Sequence, residues 1–240
     1  MLDQIRRSIA IYRSNGLFFA GYAAWLLLPY AGLILAQLIP DETISDLIML
    51  LLALTMFLLD LWVATIMVRG ARDILLGRPV NTQELIASST ERFRSVVFVD
   101  VLIMLIVLGG FILLIIPGLV FAVWYALSTH AAMLDDKHGM EALTASRELV
   151  RGKFWSVAWK FFGGLLLINF GYYVPLSILM LIIASATGTP VDALFGDNPP
   201  LWSDVMVTIA DVFMLPVTTI YLTQVYLETK NAYVRTDRGT

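Results

Sequence analysis

The sequence predicts an all-α fold: a polytopic membrane helix bundle of six transmembrane helices, set as three hairpins, with amphipathic helices at the membrane surface. Three observations predict it. Hydrophobic residues make up 59% of the 240 residues and charged residues 15%, with a mean hydropathy of +0.80. That leaves too little polar surface to cover a soluble globule of this size. Windows of about 20 apolar residues, the length a helix needs to cross hydrocarbon, recur along the chain. All 16 Lys and Arg residues fall at the same ends of a six-span arrangement. The whole chain, 1–240, reads as a single integral membrane domain.

Residues 1–15 place Leu2, Ile5, Ile9 and Tyr12 on one helical face and Arg6, Arg7 and Arg13 elsewhere, the pattern of an interfacial amphipathic helix. The first span is 16–39. Its apolar run exceeds the roughly 7–15 residues of a signal-peptide core and no small-residue cleavage pattern follows, so it reads as a retained span. Pro40-Asp41-Glu42-Thr43 turns the chain into span two, 44–68. Arg69 to Arg78 is a basic connector. Asn81 with Glu84 resembles a capping box and starts a surface helix carrying Leu85, Ile86 and Phe93.

Span three is 95–116 and span four is 119–134, with Pro117-Gly118 as the turn, since Pro ends one helix and Gly tolerates strained geometry. Gly109-Gly110 offers another break, which leaves a re-entrant loop open. A short surface helix follows, with Glu141, Thr144, Glu148 and Arg151 on its polar face and Leu143, Ser146, Leu149 and Val150 opposite. Gly152 either closes this helix or lets two backbones approach closely. Trp155 and Trp159 are expected at headgroup depth, where an amphipathic ring is favoured. Span five is 161–184, with Pro175 expected to bend it. A loop rich in Gly, Pro and Asp leads to Trp202 at its membrane edge, span six is 201–227, and a polar tail ends the chain.

The basic residues orient the bundle. The loops opposite them carry Asp41, Glu42, Asp46, Asp192, Asp197 and Asp204 and no Lys or Arg. Short cytoplasmic loops are the ones enriched in Lys and Arg, so both termini are expected in the cytoplasm of a bacterial cell, the chain being multi-pass in its inner membrane. The surplus of positive charge on that side suits anionic lipid headgroups rather than nucleic acid. Arg92–Phe98 matches Lys153–Trp159 in character, which suggests three units of surface helix plus hairpin. The same match also fits the ordinary habit of membrane-entering segments to be basic and then aromatic.

The stretch from Gly109 to Phe162 resembles the YciC-like bacterial inner-membrane proteins and the related membrane domain found on some glycerophosphoryl diester phosphodiesterases. The residues that carry the resemblance are Pro117 and Gly118, Trp124, Glu141-Ala142-Leu143, and then Ser146, Leu149, Gly152 and Trp155. What it implies is a six-helix inner-membrane protein in a family without assigned catalytic residues, close to phospholipid metabolism. The phosphodiesterase chemistry itself belongs to a separate soluble domain.

Candidates for chemistry are few. Cysteine is absent, so there is no thiolate ligand or nucleophile. HExxH and GxSxG do not occur, and the expectation is a non-catalytic chain with no cofactor. His130, Asp135, Asp136 and His138 cluster in sequence without ligand spacing on one helix face. Charges inside spans are costly and mark the better leads: Asp60, Asp100, Lys160 and Asp211, with Asn169 and Gln224 as added polar groups. Asp100 and Lys160 fall at similar depth and are expected to pair. These groups suit either a proton or substrate path or a structural ion pair with interhelical hydrogen bonds. Ala122 and Ala126 form a small-residue pair that fits packing within one chain, self-association or a membrane partner alike. Two functions stay open on this reading: a scaffold, regulator or subunit in envelope and phospholipid homeostasis, or a small transporter or lipid translocator.

Overall fold

A computed structural model of the chain describes residues 1–36, 39–194, 196 and 199–237, with Glu42, Thr236 and Asp237 described as backbone only. The expectations that fall on Gln37 and Leu38 at the end of span one, on Asp197 and on Arg238 lie outside the described residues. Apolar runs fold as helices, because a helix satisfies its backbone polar groups internally and lipid offers them no partner. In chain order these are α1 (Leu2–Ser14), α2 (Gly16–Ala36), α3 (Glu42–Leu75), α4 (Thr82–Leu113), α5 (Ile115–Leu134), α6 (Met140–Val150), α7 (Phe154–Thr187) and α8 (Leu201–Asp237). Six of them, α2, α3, α4, α5, α7 and α8, are long and apolar enough to cross a membrane. The chain is an all-α integral membrane bundle.

Several boundaries differ from those the sequence suggests. Asp41 caps α3, its Oδ1 accepting the Ile44 N–H at 3.1 Å. The helix then runs past Val68 to Leu75, so most of the expected basic connector is helical. Asn81 caps α4 by accepting the Glu84 N–H at 3.4 Å. From there α4 continues unbroken to Leu113, where a surface helix and a separate span were expected. The segment Thr82–Leu108 contains no Gly or Pro, and a change from polar to apolar side chains does not end a helix. Arg92–Phe98 therefore lies inside a helix, whereas its look-alike Lys153–Trp159 follows a break at Gly152.

The turn between α4 and α5 is also not at Pro117-Gly118. The chain reverses at Leu114, whose backbone is extended (φ −164°, ψ 150°). Pro117 sits in the first turn of α5, where its missing N–H has no helical partner to lose. Gly118 packs against Gly110: a Cβ added at Gly110 would stand 2.9 Å from the Gly118 Cα. α7 runs through Pro175 without interruption, and its departure from regularity is a wide π turn at Trp159–Gly163.

α8 lies at the centre, packed against α1, α2, α3 and α7. The apolar face of α1 is covered by protein in part: Ile5, Ile9 and Tyr12 are half-buried against Ile168, Val217, Tyr221 and Val225, while Leu2 is exposed. α6 behaves likewise. Its predicted apolar face is buried, with Ala142, Leu143, Ser146, Leu149 and Val150 set in the core of α4 and α5. α6 thus buries its apolar face in the bundle, and α1 does so in part. Gly152 closes α6 in the left-handed region (φ 76°) with open space around it, so its role is the turn and not close packing.

Candidate functional site

Asp100, Lys160, Asp211 and Gln224, polar groups placed within the spans, engage partners on neighbouring helices. Asp100 on α4 accepts a short hydrogen bond from the Thr129 hydroxyl on α5. Lys160, the expected partner of Asp100, instead meets Glu228 of α8, with Nζ 2.6 Å from Oε1. The long, flexible lysine can place its ammonium toward the basic end and water, whereas the short Asp100 must find a donor at its own depth. Asp211 on α8 accepts the Tyr173 hydroxyl of α7 at 2.9 Å. Asp60 on α3 lies within electrostatic range of Asp100. Asn169 donates back to the Leu165 carbonyl of its own helix at 2.8 Å. Gln224 donates to the Ser8 hydroxyl at 2.6 Å and to the Gln4 carbonyl at 3.2 Å, tying the last helix to the first.

Asp100 and Thr129 stand in the wall of a cleft of about 560 Å³ between α3, α4, α5 and α7. Its other walls include Phe57, Met104, Tyr125 and Phe162, together with Ala122 and Ala126. The small-residue pair therefore faces this cleft. An apolar trough with one carboxylate–hydroxyl pair could hold a hydrocarbon chain beside a single polar group.

A second polar construction explains part of the central signature. The helical ladder of α5 is broken at Ala126–Leu127. Ser146 of α6 fills the gap. Its hydroxyl donates to the Trp124 carbonyl at 2.7 Å and accepts the Leu127 N–H at 3.2 Å. A serine here can serve both orphaned groups because a hydroxyl is donor and acceptor at once. Arg147 lies over the Trp124 ring, its guanidinium carbon 4.6 Å from the centroid. Leu149 is buried beside this joint, while Glu141 sits in the first turn of α6, where a negative charge suits the helix dipole. Trp155 and Trp159 are largely exposed, as rings facing lipid at headgroup depth would be.

At the basic end, the residues clustered in sequence part company. His130 is buried and stacks on Tyr226 with ring centroids 5.7 Å apart. Asp135 receives both the Tyr226 hydroxyl at 2.6 Å and the Lys230 ammonium. Asp136 pairs with Arg92. The His138 ring nitrogen Nδ1 is 2.7 Å from the Ser95 hydroxyl. Among the described residues, no group of three or more His, Asp or Glu side chains converges as metal ligands would.

Sequence reasoning picked out Asp100, Lys160, Asp211 and Gln224 but missed the groups that answer them: Thr129 for Asp100, Glu228 and Tyr221 for Lys160, Tyr173 for Asp211 and Ser8 for Gln224. Tyr221 is the clearest case. Its hydroxyl donates to the Lys160 carbonyl at 2.6 Å, at the π turn of α7. A tyrosine within an apolar span carries no signal that its hydroxyl faces a neighbour's backbone. Comparison of the chain with protein-family models, curated proteins and solved structures returned no match.

Proposed function

We propose that this chain is a non-catalytic protein of a bacterial inner membrane, with both termini cytoplasmic, acting as a scaffold, regulator or subunit in envelope and phospholipid homeostasis. The observation that carries this reading is the use made of the intramembrane polar groups. Asp100–Thr129 joins α4 to α5, Tyr173–Asp211 and Lys160–Glu228 both join α7 to α8, and Gln224–Ser8 joins α8 to α1, as groups that hold a bundle together would. The resemblance of the central stretch to YciC-like proteins supports the same reading, and Ser146 gives one signature position a structural task. The basic end would lie against anionic headgroups.

A specific observation favours a second reading, a transporter or lipid translocator: the lipid-facing cleft that reaches Asp100, with Asp60 nearby. One experiment separates the two. Asp60→Asn, Asp100→Asn and Asp211→Asn are introduced singly into a strain lacking the chromosomal copy, and folded protein and membrane lipid composition are measured together. On the scaffold reading, any change in lipid composition tracks the amount of folded protein. A variant that is abundant and folded yet leaves the lipid composition of the deletion unrestored would reject it in favour of transport.

A further inference from the structure

The hairpin of α4 and α5 is unlike the others. From Val101 to Val123 no side chain carries a charge or a hydrogen-bonding group. The turn at its far end is apolar throughout: Phe111, Ile112, Leu113, Leu114, Ile115 and Ile116 are all exposed, Ile112 at 77% and Ile116 at 76%. The turns at the far ends of the other two hairpins carry Asp41 and Asp192. Six consecutive apolar side chains projecting into water would be a large unfavourable surface, whereas among acyl chains they cost nothing.

Length agrees with composition. Rising about 1.5 Å per residue, α3 covers roughly 42 Å from Arg69 to Asp41, α7 roughly 40 Å from Lys160 to Thr187, and α8 roughly 40 Å from Glu228 to Leu201. α4 covers only about 30 Å from Arg94 to the turn at Leu114. On the α5 side the reach is the same, about 30 Å from Leu114 to Leu134, so both legs stop roughly 10 Å short of the other three helices. Hydrocarbon is about 30 Å thick. At the reversal itself, both backbone polar groups of Leu114 are satisfied within the protein, as lipid depth requires of that residue. The Leu114 N–H donates to the Gly110 carbonyl at 3.0 Å, the Leu114 carbonyl accepts the Gly118 N–H at 3.3 Å, and Pro117 removes one donor altogether.

We propose that α4 and α5 form a re-entrant hairpin whose tip, Phe111–Ile116, is seated among lipid acyl chains and does not reach the aqueous phase at the acidic face. Four helices, α2, α3, α7 and α8, then carry the chain across, and the hairpin enters and leaves on the basic side. The small turn, closed over Gly110 and Gly118, lets the tip remain narrow enough to be surrounded by lipid.

The absence of cysteine makes the test direct. Leu114→Cys, Ile116→Cys, Thr43→Cys and Thr144→Cys are placed singly in the full chain, and sealed vesicles of both orientations are treated with a membrane-impermeant maleimide. Thr43→Cys and Thr144→Cys should each react in one orientation, opposite to one another. Leu114→Cys and Ile116→Cys should react at least tenfold less than these controls in both orientations. The same tip cysteines, carrying a small fluorophore and reconstituted in phosphatidylglycerol–phosphatidylethanolamine vesicles, should be quenched by nitroxides on the acyl chain and not by nitroxides on the headgroup. Tip labelling equal to that of Thr43→Cys, or quenching by headgroup nitroxides alone, would overturn the proposal. Inverted labelling of the two controls with an unreactive tip would instead correct the orientation proposed for the termini and leave the hairpin standing.

Discussion

The α4–α5 and α7–α8 hairpins are both pairs of long apolar helices, yet they are pinned at opposite ends. In α4–α5 the closest approach is at the turn, where Gly110 and Gly118 bring the two backbones together. The polar contact, Thr129 to Asp100, lies toward the open end. In α7–α8 the turn is a broad polar loop, and the closest approach is near the open end, where Gly164 leaves room for Tyr221. Its polar contacts are Lys160 to Glu228 and the Tyr221 hydroxyl to the Lys160 carbonyl at the open end, and Tyr173 to Asp211 farther along on an exposed face. The difference teaches that a glycine within a span acts according to what stands opposite it: another backbone in one hairpin, an aromatic ring in the other.

The largest effect should come from Gly164→Ala. The added methyl would overlap the Tyr221 hydroxyl and ring, and Tyr221 is fully buried and cannot swing away. A loss near 3 kcal/mol, the upper end for overpacking, is expected in a denaturation assay in detergent. Stability unchanged from the parent would mean that the helices are not held this close. Next is Ser146→Ala, which orphans the Leu127 N–H and the Trp124 carbonyl together. It should cost about 2 kcal/mol, with faster deuterium exchange at Leu127 as the local mark. Exchange there as slow as in the parent protein would show that the break in α5 is satisfied some other way.

Gly118→Ala should be milder, about 1 kcal/mol, because the Phe111 ring it meets faces lipid and can turn aside. An effect as large as that of Gly164→Ala would erase the contrast between the hairpins. The smallest expected effect is the coupling of Asp100 with Thr129. A cycle of Asp100→Asn, Thr129→Val and the double variant should give an interaction energy of about 0.6–1.7 kcal/mol, the range for hydrogen bonds between membrane helices. Strict additivity of the two single changes would place Asp100 outside this contact.

Most of the architecture was legible because lipid imposes it: apolar runs of the right length become helices, and the cap at Asn81 follows from its side-chain oxygen. The boundaries were less legible. The switch from polar to apolar within Thr82–Leu113 looks like an element boundary, yet nothing in the backbone stops there. Pro117-Gly118 looks like a turn, but the first turn of a helix accepts proline freely and the chain reverses three residues earlier, at Leu114. The intramembrane charges stood out as costly residues, but their partners did not. Lys160 was read by depth alone, and depth does not distinguish Asp100 from a carboxylate that an extended side chain reaches, which is what Glu228 is. The apolar face of α6 was legible in register but not in what covers it, since amphipathicity records that a face is apolar and not whether lipid or protein meets it.

The contact between Gln224 and Ser8 also sets an order of assembly. Ribosomes make α1 before α8, so α1 waits while the helices between them are made for the surface it will occupy. During that interval the apolar face of α1 has only the membrane to cover it, and its amphipathic pattern keeps it there. When α8 inserts, Gln224 takes the Ser8 hydroxyl, Ile5 and Ile9 move onto Val217 and Val225, and α1 and α8 meet like the halves of a clasp.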